Sequence, residues 1–330
     1  MLVFIRVILF SFLLFQSVFA YSNNTPFKNF SIDNPLAYRA VSSIVQDQHG
    51  FLWFGSSEGV YRYDGYQFTR FHYDQNIEDS LSSNVVSQLL LDAKGRLWVA
   101  TRGGGLNLLQ SDSETFITFN QSSIVAPINN DFINKLAQDE LGKLWVGTED
   151  GLTVLSELNG EWVTQLIAFD KRQRGLSGKV IESILMPNDR TVWVGTNGGG
   201  IDVFDISGKF VKHLAFEELE NAIVSNMYQD SEGIIWIGTS DSGVFKYSPY
   251  TQKITRFDII INNVATNDLS IEDIFQDQNG RIWLASDKGV TLIDLSTMQQ
   301  HHHTHSVSNY HSLSNDFALT FYQDNKGIVW

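Results

Sequence analysis

Short apolar runs recur along the chain, each broken by a polar or glycine-rich interval. Some runs are near-continuous, as in Leu52-Trp53-Phe54, which predicts a strand covered on both faces. The run that follows alternates. Leu106 and Leu108 bracket Asn107, Leu152 and Val154 bracket Thr153, Ile201 and Val203 bracket Asp202, and Val290 and Leu292 bracket Thr291. That period of two predicts a strand with one wet face. A further strand carries spaced apolar residues, as in Phe68-Thr69-Arg70-Phe71, Phe116-Ile117-Thr118-Phe119 and Ile254-Thr255-Arg256-Phe257. Upstream of the near-continuous run lies another apolar stretch, such as Val41-Ser42-Ser43-Ile44-Val45, leading into Gln46-Asp47-x-x-Gly50. The Asp can cap a tight turn and the Gly can take positive φ, so this corner reads as a hairpin.

The four-strand unit repeats. Trp53, Trp98, Trp145, Trp193, Trp236, Trp283 and Trp330 are spaced by 45, 47, 48, 43, 47 and 47 residues. Only Trp162 stands outside the series. Four antiparallel strands at this period predict an all-β fold, a β-propeller with one blade per repeat. The fourth copy departs from the phrase, with Met186-Pro187-Asn188-Asp189-Arg190 in place of Gln-Asp-x-x-Gly, so its corner is expected to differ in shape. Phe27-Lys28-Asn29-Phe30 has the spacing of the fourth strands without a blade of its own. It is expected to complete the last blade and tie the ring shut. Phe317 to Asp324 reads as the first strand of a seventh blade, and Trp330 opens its second. A seven-bladed propeller with a truncated last blade is therefore expected, and the chain reads as an N-terminal fragment.

Residues 1–20 do not share the repeat. Arg6 precedes an apolar run from Val7 to Phe15, and Val18-Phe19-Ala20 offers small residues for cleavage, so a signal peptide is expected at 1–20 and the propeller at 21–330. The 23 basic and 37 acidic residues give a net charge of −14, which opposes nucleic acid and anionic membrane surfaces as partners. There is no cysteine, which excludes disulfides, thiol nucleophiles and Cys-ligated zinc.

The phrase QDxxGxLWxGTxxGL, seen in QDQHGFLWFGSSEGV (46–60) and QDELGKLWVGTEDGL (138–152), is preceded in some copies by Leu-Ser-x-x-Val, as at Leu81 to Val85 and Leu176 to Val180. As a set these phrases resemble the two-component regulator propeller repeat. The resemblance implies a periplasmic sensor region of a larger protein anchored in the inner membrane, with a histidine kinase as the output module. A diguanylate cyclase is the close alternative. A secreted lectin or carbohydrate-active propeller is the rival from a different class. Any homodimer is expected to form through the full-length protein.

Several residue sets invite a chemical reading. Asp47, Asp92, Asp139, Asp230, Asp277 and Asp324 could be metal or acid–base carboxylates, but their fixed place before a turn Gly favours capping. The tryptophans could stack sugars, yet their apolar neighbours favour packing between blades. The triplets Gly103 to Gly105 and Gly198 to Gly200 lack a following Lys-Ser/Thr and read as hairpin turns rather than phosphate cradles. His301, His303 and His305 would share one side of an outer strand and could hold a cation, although polar side chains also guard exposed edges. No metal, cofactor or catalytic group is expected. Ligands of propellers sit at the channel mouth, where the loops between blades and after the second strands place Arg39, Arg102, Glu149, Asn197, Asp241 and Lys288, with Lys171, Arg172 and Arg174 in one long loop. That mixed-charge rim suits a small polar ligand such as an oligosaccharide.

Overall fold

Strands satisfy their backbone only by pairing with neighbours, and within each sheet here consecutive strands pair. The computed structural model describes residues 27–29, 36, 39–110, 112–170, 175–187, 189–219 and 221–330. The expected signal peptide, Phe30, and Lys171, Arg172 and Arg174 lie outside the described residues. Among the described residues six four-stranded antiparallel sheets form, each in simple sequence order. Blade one comprises Val41–Gln46, Leu52–Ser56, Gly59–Tyr63 and Phe68–Phe71. Blades two to six begin with inner strands Val86–Leu91, Ile133–Gln138, Ile181–Leu185, Asn226–Gln229 and Ile271–Gln276. They end with outer strands Thr115–Phe119, Glu161–Ile167, Phe210–Leu214, Lys253–Phe257 and Gln300–His303.

The core lies between blades rather than within them. Trp98, Leu106 and Leu108 of blade two share one cluster with Leu136, Leu144 and Leu155 of blade three. Similar clusters join blades one and two, three and four, four and five, and five and six. Trp98, Trp145 and Trp236 are fully buried. Burial of about 150–250 Å² per tryptophan corresponds to roughly 4–6 kcal/mol of transfer free energy before entropy is counted. Trp162, outside the repeat, lies in the outer strand of blade three and meets Trp98 edge-on at 5.3 Å.

Because both faces of every sheet are covered, the alternating third strands have no wet side. Asn107, Thr153 and Asp202 are 0% exposed and Thr291 is 1% exposed. This corrects the expectation from periodicity. Each polar residue instead makes a hydrogen bond within the protein. Asn107 accepts from Ser82 N at 3.0 Å and Thr153 Oγ1 accepts from Asn129 N at 2.9 Å. Asp202 accepts from Ser177 N at 2.7 Å, and Thr291 Oγ1 meets His302 Nδ1 at 2.9 Å.

The expected seventh blade is not a four-stranded sheet. The segment Phe317–Trp330 contributes a single bridge, Gln323 with Val329, because it spans only a first-strand position and the opening of a second. It nevertheless fills the gap in the ring. Ala318, Phe321 and Val329 pack against Trp283, Val290 and Leu292 of blade six. Tyr322 and Trp330 pack against Leu52 and Phe54 of blade one. No strand forms at Phe27–Asn29, but Phe27 N donates to His311 O at 2.9 Å and its ring meets His303 at 5.4 Å. The N-terminal segment therefore docks beside the outer strand of blade six.

Candidate functional site: the central channel

Six of the repeated corners are built alike. Asp47 Oδ1 accepts from His49 N and Phe51 N while Oδ2 accepts from Trp53 Nε1 at 2.8 Å. The same three bonds form at Asp92, Asp139, Asp230, Asp277 and Asp324, where the indole distances are 3.0, 3.0, 2.7, 2.9 and 2.9 Å. The capping role is thus borne out, and the indole bond adds a link that motif spacing alone had not supplied. In blade four Trp193 Nε1 turns to Thr191 Oγ1 at 3.0 Å, and Thr191 leans on Asp189. Burial opposes ionisation of Asp92 and Asp277. The indole and the backbone and guanidinium of Arg96 or Arg281 outweigh it and hold both carboxyls below the usual range. These aspartates are committed to structure.

At four of these corners the glutamine before the Asp links neighbouring blades. Gln138 Oε1 accepts from Ala93 N of the preceding blade at 2.7 Å, and Gln276 Oε1 accepts from Ser231 N at 2.8 Å. Gln278 N donates to Gln323 at 2.9 Å, and Asn325 N donates to Gln46 at 2.9 Å. The last two bonds carry the ring from blade six through Phe317–Trp330 to blade one.

The inner strands enclose a cavity of about 620 Å³. Their register slips at Val41/Ser43, Val86/Gln88, Ile133/Lys135, Ile181/Ser183 and Ile271/Asp273. Each slip leaves one residue unpaired: Ser42, Ser87, Asn134, Glu182 and Glu272. A bulge of this kind re-aims side chains, and all five line the cavity. The neighbouring positions stitch the ring. Ser43 and Leu89 N are 3.0 Å apart, Gln88 accepts from Leu136 N at 2.7 Å, and Ser183 Oγ donates to Val224 O at 2.7 Å. Asp273 accepts from Asn226 at 3.2 Å and from Phe321 N at 2.8 Å. It thus ties blades five and six to the last segment. Burial pushes the Asp273 carboxyl up, with Lys135 acting in the opposite sense.

The register Val41 with Ser56 shows that the start of a first strand and the end of a second lie at the same end of a blade, so the six rim residues share one face. Of these only Arg102 lines the cavity. Glu149 lies 3.9 Å from it. Asn197 donates to the cavity residue Glu182 at 3.3 Å. Arg39 pairs with Glu58, Lys288 pairs with Asp268 at 3.0 Å, and Asp241 accepts from Ser242 at 3.0 Å. Reasoning from loops missed the cavity-facing Asn134, Lys135, Glu182, Glu272 and Asp273. Their signal was a pair of polar residues just after the first apolar residue of the first strand, as in Ile133-Asn134-Lys135 and Ile271-Glu272-Asp273. The glycine triplets do form hairpin turns, with Gly103, Gly105, Gly198 and Gly200 at positive φ. The histidines do not converge. His302 meets Thr291 and Lys288 O, His303 lies beneath Phe27, and His305 meets Leu313 O at 2.7 Å.

Comparison with known proteins places these features in context. The family described as two component regulator propeller matches at residues 35–58, 80–103, 127–150 and 218–241. A histidine kinase P4 of Formosa agariphila is 26% identical over 204 residues, which is 60% of this chain and 15% of that protein. The extracellular domain of a putative hybrid two component system from B. thetaiotaomicron superposes with a TM-score of 0.77 at 24% identity. The match covers 92% of this chain and 40% of that one. The extracellular domain of a putative one component system from the same organism gives 0.73 at 25% identity, over 93% and 39% of the two chains.

Proposed function

We propose, from the four segments that match the two component regulator propeller family, that the chain is the extracytoplasmic sensing region of a signalling protein of histidine kinase type. It binds a polar ligand in the central channel and passes the signal to an output module. The extracellular domains to which it is similar support an exported location, and the kinase relative supports the output class. The chain spans only 15% of that relative and 40% of the hybrid-system domain, so the output is inferred from the kinship alone.

The observation that carries the binding reading is the channel itself. A cavity of about 620 Å³ is of ligand size, and it is lined by polar side chains that bulges bring into it. Two of its polar atoms, Ser87 Oγ and Asn134 Oδ1, are buried without a partner. Buried polar groups are ordinarily satisfied, so these atoms favour a site completed by something else. The ring is read as seven-fold, with Phe317–Trp330 opening the seventh blade. The bonds through Gln323 and Gln46 support this.

The test is a thermal-shift and calorimetric survey of the chain against polar small molecules and oligosaccharides, repeated with Ser87→Leu and Arg102→Ala. The expected result is a ligand that raises Tm in the parent and loses affinity in Ser87→Leu. Binding untouched by both substitutions, or turnover of the ligand, would contradict the proposal.

A further inference from the structure

The charged side chains of the channel are sorted by side. Arg102 and Lys135 come from blades two and three, whereas Glu182, Glu272 and Asp273 come from blades four and six. The lining from blades one and five and from the last segment carries no charge, with Ser42, Ser225 and Thr320 as examples. The channel is therefore positive along one wall and negative along the other.

Most of these charges lack an ionic partner inside the protein. Among the described residues, Lys135, Glu182 and Glu272 form no ion pair within 4.0 Å. Glu182 accepts from Asn197 and Glu272 accepts from Ser270 Oγ at 2.9 Å, both neutral donors. Asp273 is different, since its oxygens already take bonds from Asn226, Thr320, Phe321 N and Ile274 N. Arg102 has only the distant Glu149. An independent sign lies beside Lys135. Asn134 is 9% exposed, and its Nδ2 donates to Ile181 O at 3.1 Å while Oδ1 accepts nothing. This channel residue is short of one hydrogen-bond donor.

We propose that the channel takes a small zwitterion, an amino acid or short peptide, with its carboxylate toward Arg102 and Lys135 and its ammonium toward Glu182 and Glu272. The proposal rests on the reading of the channel as the ligand site and narrows its ligand class. Desolvating Lys135 and Glu272, which form no ion pair within 4.0 Å, beneath a neutral molecule would be costly even with Asp273 acting on Lys135, whereas a ligand carrying both charges neutralises each wall. An N–H on the same ligand supplies the donor that Asn134 Oδ1 lacks. The cavity volume is sufficient for such a molecule.

The experiment titrates the chain by calorimetry with free amino acids and a set of dipeptides, each compared with its N-acetylated and C-amidated forms. The expected result is that at least one free form binds and that either cap weakens it about tenfold or more, as loss of about 1.4 kcal/mol would give. Lys135→Met should weaken the free form to a similar degree yet leave the C-amidated form unchanged, and Glu272→Gln should do the same with the N-acetylated form. The capped ligands report on the variants' integrity within the same titration. Equal binding of free and capped forms, or no binding by any of them, overturns the proposal. If neutral oligosaccharides bind and Ser87→Leu abolishes it, the channel reading stands while the zwitterion fails. If neither class binds, both fail.

Discussion

The backbone N–H of Asn325 donates to the side-chain carbonyl of Gln46 at 2.9 Å, joining two residues 279 positions apart. The same bond links Ala93 to Gln138 and Ser231 to Gln276 at ordinary seams between blades. The last segment thus meets blade one as one blade meets the next, and Gln46 acts as a closing latch. Gln46→Met should lower stability by about 1 kcal/mol, the usual net worth of one intramolecular hydrogen bond. Exchange of the Asn325 amide should accelerate more than that of Ala93. Unchanged exchange at Asn325 would show that the latch does not hold this seam.

Asp230 satisfies Glu232 N, Ile234 N and the fully buried Trp236 indole. Asp230→Ala removes the acceptors of all three donors at once, leaving a buried donor unpaired, and should cost about 3–5 kcal/mol in chemical denaturation. Asp189→Ala in blade four should cost about 1 kcal/mol, because the Trp193 indole there bonds Thr191 instead. Equal losses at the two sites would mean that the indole bond contributes little.

Burial works against the Asp277 carboxylate, yet Trp283 and Arg281 hold its native pKa below the ordinary value of 3.8. The unfolded state therefore binds the proton more readily, and the stability this group contributes is complete above about pH 3.8. It disappears as pH falls through the native value. In acid titrations followed by denaturation, Asp277→Asn should lower stability at neutral pH and flatten the acid limb. A parallel shift of the whole curve would remove the electrostatic explanation.

His303 behaves oppositely in sign of charge. Burial first, then the neighbouring His301 and His302, lower its pKa from 6.5, and its Nε2 has no partner. Asp316 acts on the adjacent His302 and raises it, short of reversing the effect of burial there. The neutral ring lies under Phe27, so the stability of that contact is present above about pH 6.5 and is lost as pH falls through the native value. Hydrogen exchange at the Phe27 amide, corrected for intrinsic rates, should speed up between pH 7.5 and pH 5. His303→Gln should abolish the pH dependence.

Much of the fold was legible in the residues, because Asp and Trp recur six positions apart and each pair marks one hairpin corner, as at Asp47 and Trp53. The indole bond was not legible, since spacing along a hairpin does not say which carboxylate oxygen points inward. Period two misled at Asn107 and Asp202. Alternation identifies two faces of a strand, but whether the polar face meets water depends on the next blade. The channel was hidden for a related reason. A bulge shifts register by one residue, so Asn134 and Glu182 face the cavity where simple alternation gives no warning. Ser42, Ser87, Asn134, Ser225 and Glu272 all stand five positions before the corner Asp, and that regularity was the available signal.

The sensing role stands or falls on where a ligand binds. Hydrogen–deuterium exchange of the chain with and without a ligand recovered from the survey measures this directly. The channel reading predicts protection at the inner strands of several blades together, including Ser87–Leu89, Asn134–Leu136 and Glu182–Ile184, with the outer strands unchanged. Protection confined to outer strands such as Phe210–Leu214, with the inner strands exchanging as before, would contradict it.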